Sequence, residues 1–195
     1  EVVVLVDGYN VAKLGWPVLV LAAVGGLIAM FYTAPPLSLN FRGYGELGLF
    51  IAFGPLTVVG VYYVLTRMLS WEAFVASLPL GLFTMNIGNV SAMFDYRSDV
   101  GFEKKVLIVR YGPARSYRIL AFFFLVAYAP IVAGVAVGLL PQTALLAMLT
   151  LPVAVATLIA LRDYHDTSKY ARTMAMAIAL PTLTGILLCM AYLLI

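Results

Sequence analysis

Six stretches of about twenty apolar residues, at about 16–34, 47–66, 72–94, 119–140, 142–161 and 174–195, are separated by connections too short to hold a soluble domain. A run of that length matches the hydrocarbon core of a bilayer. Backbone inside that core must satisfy its own hydrogen bonds, which leaves helices and closed barrels as the spanning elements, and a barrel strand alternates over only roughly ten residues. Composition agrees, since 64% hydrophobic residues, 11% charged residues and a mean hydropathy of +1.02 leave too little polar surface to cover a water-soluble globule. The expected fold is all-α, a polytopic bundle of six transmembrane helices in a single domain over residues 1–195. The chain opens on Glu1 and VVVLV, a stub too short to span, before a turn at Asp7, Gly8, Asn10 and Lys13. Residues 1–6 therefore read as the tail of an earlier helix, and the sequence as the C-terminal part of a longer polypeptide.

The connections carry charge unevenly. Of the 12 basic residues, Lys13 and Arg67 fall on one side of the membrane. The other side receives Arg42, Arg97, Lys104, Lys105, Arg110, Arg115, Arg118, Arg162, Lys169 and Arg172. Basic residues beside spans are retained in the cytoplasm, which puts the second side there and the C-terminus outside. The same loops carry Asp95, Asp99, Asp163 and Asp166, which retention does not require. No phosphate-binding glycine loop, haem motif or basic-aromatic surface occurs, and nucleic acid is not an expected partner. The lone His165, between two loop acids, reads as a solvated side chain rather than part of a ligand set.

The acids concentrate in FDYRSDVGFEKK, Phe94 to Lys105, where the third apolar run ends. If that helix continues by one turn, Asp95 and Asp99 at i and i+4 lie one above the other on one face. Two like charges so placed repel, and a cation between them reverses the sign. Paired carboxylates beside a cavity suit Mg²⁺, which keeps several waters and takes its remaining ligands from phosphates. Lys104, Lys105 and Arg110 then stand where phosphate oxygens would lie. A solvated helix end with local ion pairs is the alternative.

The run FDYRSDVGFEKKVLIVRYGPARSYRIL resembles the second aspartate-rich motif of the UbiA superfamily of intramembrane prenyltransferases. The elements are Asp95, Asp99, Lys104 or Lys105, Leu107, Val109, Arg110, Gly112 and Tyr117. A second block, YTAPPLSLNFRGYGELGLFIAFGPLTVVGVYYVLT from Tyr32 to Thr66, is similar to the 1,4-dihydroxy-2-naphthoate prenyltransferase branch. It matches at Tyr32, Pro35, Pro36, Arg42, Gly43, Gly45, Glu46, Gly54, Pro55 and Tyr63, among others. The resemblance implies a nine-helix fold, of which these six spans correspond to the last six, with a further aspartate-rich motif contributed upstream. It also implies Mg²⁺-dependent transfer of a polyprenyl group from an allylic diphosphate to a small aromatic acceptor such as 1,4-dihydroxy-2-naphthoate. Asp95 and Asp99 would hold the metal. Lys104, Lys105, Arg110 and Arg42 would take the diphosphate, and Tyr32, Tyr62, Tyr63, Ser91 and Tyr96 would line the substrate path.

The sequence departs from that branch at several places. Ser91, Ala92 and Phe94 stand where asparagines and an arginine usually precede the first aspartate, and Leu65 and Glu103 replace a glutamine and a glycine. Asn86 and Asn89 project away from Asp95 on a regular helix and are expected to bond to neighbouring helices. Two other readings stay open. One is geranylgeranyl transfer to a glycerol-phosphate lipid; the other is a transporter with an intramembrane acidic ion site.

Overall fold

The computed structural model describes residues 15–102 and 104–194. The expected helix tail at 1–6, the turn carrying Lys13, and Glu103 lie outside the described residues. Six helical units are long and apolar enough to cross a membrane, and no strand occurs among the described residues. The all-α membrane bundle is thus observed. In chain order the elements are α1 (Trp16–Thr33), α2 (Leu39–Arg42), α3 (Gly45–Ile51), α4 (Thr57–Thr66), α5 (Trp71–Phe94) and α6 (Tyr96–Gly101). They continue with α7 (Leu107–Tyr111), α8 (Pro113–Val126), α9 (Ala129–Ala136), α10 (Leu151–Leu161) and α11 (Tyr170–Leu193).

Four spans are composite; in the sixth, a 3₁₀ turn at Thr167–Lys169 leads into α11. A π turn at Ala52–Leu56 joins α3 to α4 around Pro55, which has no N–H to continue an α-helical ladder. The Thr57 hydroxyl donates to the Ala52 carbonyl at 2.7 Å, satisfying an oxygen in the widened turn. Helices α8 and α9 make the fourth span, and a 3₁₀ segment at Gln142–Thr150 leads into α10. The fourth and sixth spans begin before their apolar runs do, at Pro113 and Thr167. Helical hydrogen bonding runs on through Arg115, Arg118, Lys169 and Arg172, whose long side chains carry charge away from the apolar zone.

Helix α5 is the centre, packing against α3, α4, α8, α9 and α11. Lipid tails are as apolar as leucine, so association inside a bilayer relies on close backbone approach at small residues and on interhelical hydrogen bonds. Both devices appear. Gly81 of α5 packs directly against Gly54 and the Phe50 carbonyl of the second span. The Tyr128 hydroxyl lies 2.9 Å from Thr150 Oγ1, which lies 3.3 Å from Thr184 Oγ1, tying three spans together in the interior. Phe83 packs edge-on against Tyr128, and its ring centroid is 6.3 Å from that of Phe124. Outward faces carry exposed Leu19, Phe122, Ile159 and Ile186, a surface for lipid rather than water.

Candidate active site

At the basic end of the bundle, α5 stops at Phe94 and Asp95 turns the chain with ψ near 4°. The register nevertheless survives the break, because the Asp99 N–H donates to the Asp95 carbonyl at 2.9 Å. Both carboxylates therefore line one cavity of about 190 Å³, together with Tyr32, Asn40, Glu46, Asn89, Ser91 and Lys104.

The two acids differ in environment. Asp99 is buried at 4% exposure, and its Oδ1 lies 2.5 Å from Lys104 Nζ. Asp95 is exposed and accepts from the Ser91 hydroxyl at 3.2 Å. Ser91 Oγ in turn lies 3.5 Å from the Tyr170 hydroxyl of α11, whose ring packs edge-on against Phe94. Asp95 has no ion-pair partner among the described residues; the pairs found are Asp99 with Lys104, and Lys169 with Asp163 and Asp166. One carboxylate thus carries an internal counter-charge while its neighbour does not.

Glu46 is the residue that spacing alone missed. From the first turn of α3 its Oε1 accepts the Leu107 N–H at 3.0 Å, capping the start of α7. The Lys105 N–H donates to the Phe41 carbonyl at 2.9 Å. Gly43, at φ +82°, lies so close that a Cβ there would come within 2.5 Å of the Lys105 carbonyl oxygen. Only glycine accommodates both that conformation and that approach. Three contacts from residues 41–46 thus clasp the segment that presents Lys104 to Asp99.

The expected basic set separates. Lys104 lines the carboxylate cavity, and its ammonium also sits 5.8 Å from the centroid of the Phe41 ring. Lys105 is exposed and engaged through its backbone, and Arg42 ends α2 without lining the cavity. Arg110 lines a second cavity on the other side of Glu46 and Asn89. Of the expected path residues, Tyr32 and Ser91 line the carboxylate cavity, whereas Tyr96 packs against the buried core. Tyr62 and Tyr63 lie towards the end of α4, roughly 24 Å along the span from Glu46 at 1.5 Å per residue. Tyr192, at the opposite end of the bundle, lies within electrostatic reach of both Tyr62 and Glu72.

Among the described residues the asparagines do not bond to neighbouring helices as expected. Asn89 donates to the Met85 carbonyl of its own helix at 3.4 Å, and both side-chain polar atoms of the buried Asn86 have no hydrogen-bond partner among the described residues. Asn89 does sit well round the helix from Asp95. It still reaches the cavity because the lining covers a wide arc of α5 and its continuation into α6, with Gly88, Ala92, Asp95 and Asp99 along its middle and Ser91 and Asn89 on its flanks. The loop before α11 holds its own charges. Lys169 pairs with Asp163, and the Ser168 hydroxyl and N–H hold the Asp166 carboxyl below the usual carboxylate range. His165 packs on the Tyr164 ring with centroids 3.8 Å apart.

No group of three or more metal-binding His, Cys, Asp or Glu side chains occurs among the described residues. The cavity instead offers hard oxygen donors from three carboxylates: Asp95, without an ion-pair partner among the described residues, Asp99 beside Lys104, and Glu46, one of whose oxygens caps α7. That donor set fits a divalent ion such as Mg²⁺ that draws part of its shell from water and phosphate.

The sequence model of the UbiA prenyltransferase family matches residues 2–192. The 2-carboxy-1,4-naphthoquinone phytyltransferase of Synechocystis sp. (strain PCC 6803) is 32% identical over 151 residues, covering 77% of this chain and 49% of the relative. The 1,4-dihydroxy-2-naphthoate octaprenyltransferase of Mycobacterium tuberculosis is 30% identical over 99 residues, 49% of this chain and 34% of the relative. Its namesake in Bacillus subtilis is 26% identical over 137 residues, 70% of this chain and 44% of the relative. The chain spans about half the length, or less, of these curated relatives. No solved structure matches the chain.

Proposed function

This chain belongs to the UbiA prenyltransferase family, and from that premise we propose that its natural polypeptide transfers a polyprenyl group from an allylic diphosphate to a naphthoate-type aromatic acceptor. The reaction would serve quinone synthesis at the cytoplasmic face of the membrane. The observation that carries this reading is the meeting of Asp95, Asp99 and Lys104 in one cavity at the end of an apolar bundle. The acceptor class is supported by relatives whose names specify a naphthoate or a carboxynaphthoquinone.

Magnesium held by Asp95 and Asp99 would neutralise charge on the departing diphosphate. The chain's own groups do the rest. Lys104 exchanges Asp99 for a phosphate oxygen, to which an ammonium donates well. Ser91, from its place beside Asp95, holds that carboxylate towards the cavity. Leu49, Ala92 and Val106 give the cavity an apolar side, where the allylic cation meets the acceptor rather than water. The bond from the allylic carbon to oxygen breaks, with its electron pair leaving on the diphosphate. An acceptor ring carbon supplies the pair for the new C–C bond and sheds a proton or carbon dioxide.

The test uses the purified natural polypeptide in detergent with radiolabelled geranylgeranyl diphosphate and Mg²⁺. One arm contains 1,4-dihydroxy-2-naphthoate and the other geranylgeranylglyceryl phosphate. Labelled product is expected with the naphthoate. Product with the glycerol lipid alone would replace the aromatic acceptor by a lipid one. Absence of both products, together with ion movement across liposomes, would make the acidic pair a transport site.

Lys104→Gln is expected to split two affinities, because the ammonium competes with a metal for Asp99 but assists the diphosphate. Mn²⁺ alone, followed by electron paramagnetic resonance, should bind more tightly, by up to about tenfold, and a prenyl thiodiphosphate should bind more weakly by a similar factor. A loss in both affinities, or a change in neither, would contradict the exchange.

A further inference from the structure

The second cavity, of about 420 Å³, lies between α3, α5 and α8 and is walled by apolar side chains including Phe50, Leu82, Met85 and Phe123. Arg110 supplies its only basic side chain and has no ion-pair partner among the described residues. Glu46, the cavity's acid, is engaged by the Leu107 N–H through one oxygen. Gly43 explains where Arg110 sits, because a Cβ there would approach Arg110 Nη1 to 3.1 Å; the missing side chain lets the guanidinium lie against the turn after α2.

We propose that this cavity is the acceptor subsite and that Arg110 recognises a carboxylate on a bicyclic aromatic ring, an inference that rests on the prenyl-transfer reading above. The shape suits the class. A few hundred cubic ångströms of apolar wall with one convergent charge is the usual form of a small-molecule site. A planar guanidinium pairs with a carboxylate through two parallel hydrogen bonds, and an acceptor named as a naphthoate or a carboxynaphthoquinone presents one such group on an apolar double ring. Glu46 and Asn89 line both cavities, so a ring held by Arg110 lies across these two side chains from the carboxylates that take the diphosphate. Arg110 therefore selects the acceptor rather than holding the diphosphate, the role its place in the basic loop had suggested.

The test compares 1-hydroxy-2-naphthoate with 1-naphthol, which lacks the carboxylate, by titration calorimetry on the natural polypeptide in detergent. A prenyl thiodiphosphate with Mg²⁺ reports the other cavity and the fold. Arg110→Gln is expected to weaken the naphthoate by roughly 10- to 100-fold, the range for a lost charge-assisted pair, and to leave 1-naphthol and the thiodiphosphate unchanged. Arg110→Lys should restore part of the loss, since an ammonium keeps the charge without the fork. Leu82→Trp, which fills the cavity, should block both aromatic probes and spare the thiodiphosphate.

Equal weakening of both aromatic probes by Arg110→Gln, weakening of the thiodiphosphate, or unaltered naphthoate affinity would each overturn the assignment. So would naphthoate binding that survives Leu82→Trp, or a loss confined to phosphatidylglycerol added as a competing probe. Transfer to the naphthoate by the unaltered polypeptide alongside any of these results defeats the subsite alone. Failure of that transfer defeats the parent reading.

Discussion

Replacing Asp95 and Asp99 together by asparagine in the natural polypeptide is expected to lower prenyl transfer by roughly 10³-fold or more while the bundle stays folded. Asparagine keeps the size and one acceptor oxygen of each side chain but removes both negative charges, so it withdraws metal binding without opening a cavity. The stability cost is small for a reason specific to each site. Asp95 is exposed and makes no ion pair among the described residues. Asp99 is buried, but its partner Lys104 keeps 24% of its side chain exposed and can turn to water when the carboxylate goes. Alanine at Asp99 is the harsher change, because it also removes the group against which Lys104 packs. Transfer assays, thermal unfolding and Mn²⁺ resonance on one preparation separate the two effects. Turnover retained by the double asparagine variant would falsify the metal assignment.

The legibility of this site varied with what each clue measures. Apolar runs mark the spans because lipid imposes one length on all of them, yet hydropathy cannot see a helix continuing through Arg115 or Lys169 beyond the apolar zone. The pairing of Asp95 with Asp99 was visible because a four-residue spacing survives the turn at Asp95 through a single backbone hydrogen bond. Glu46 falls within the Tyr32–Thr66 block that resembles the family, but no spacing assigns it a task. Its partner Leu107 lies 61 residues away, and no periodicity links the two. Lys104, Lys105 and Arg110 were indistinguishable as basic residues of one loop. The clasp from Phe41 and Gly43 separates them, turning the first towards the carboxylates and leaving the third beside another cavity. Tyr62 and Tyr63 show the opposite failure, since a tyrosine near a membrane surface does not say which surface. Asn89 stands about 120° round a regular helix from Asp95 yet lines the same cavity, which wraps further round α5 than a single line of residues.

Gly81→Val is expected to disrupt the assembly that holds this site, lowering the unfolding midpoint by roughly 5–10 °C or more. A Cβ at Gly81 would meet the Phe50 carbonyl oxygen at 2.7 Å and Gly54 Cα at 3.1 Å, both backbone atoms that no rotamer change can move. The reciprocal substitution meets the same wall, as a Cβ at Gly54 would lie 2.8 Å from Gly81 Cα. Relief therefore requires the second span to move away from α5. Such a shift carries Glu46 and the clasp at Phe41 and Gly43 away from the Lys104 segment, so transfer activity should fall further than the loss of folded protein accounts for. Gly26→Val supplies the control, because among the described residues, apart from its chain neighbours and the adjoining backbone of its own helix, no heavy atom lies within 4 Å of a Cβ built there. Both substitutions put the same β-branched side chain into a spanning helix, and they differ in what that side chain meets. Thermal unfolding and size-exclusion profiles of the two variants, with transfer activity normalised to folded protein, give the comparison. Equal melting of the two would mean that close contact between α5 and the second span does not hold the bundle together. A Gly81→Val protein that melts early yet transfers normally per folded molecule would detach the clasp from the chemistry.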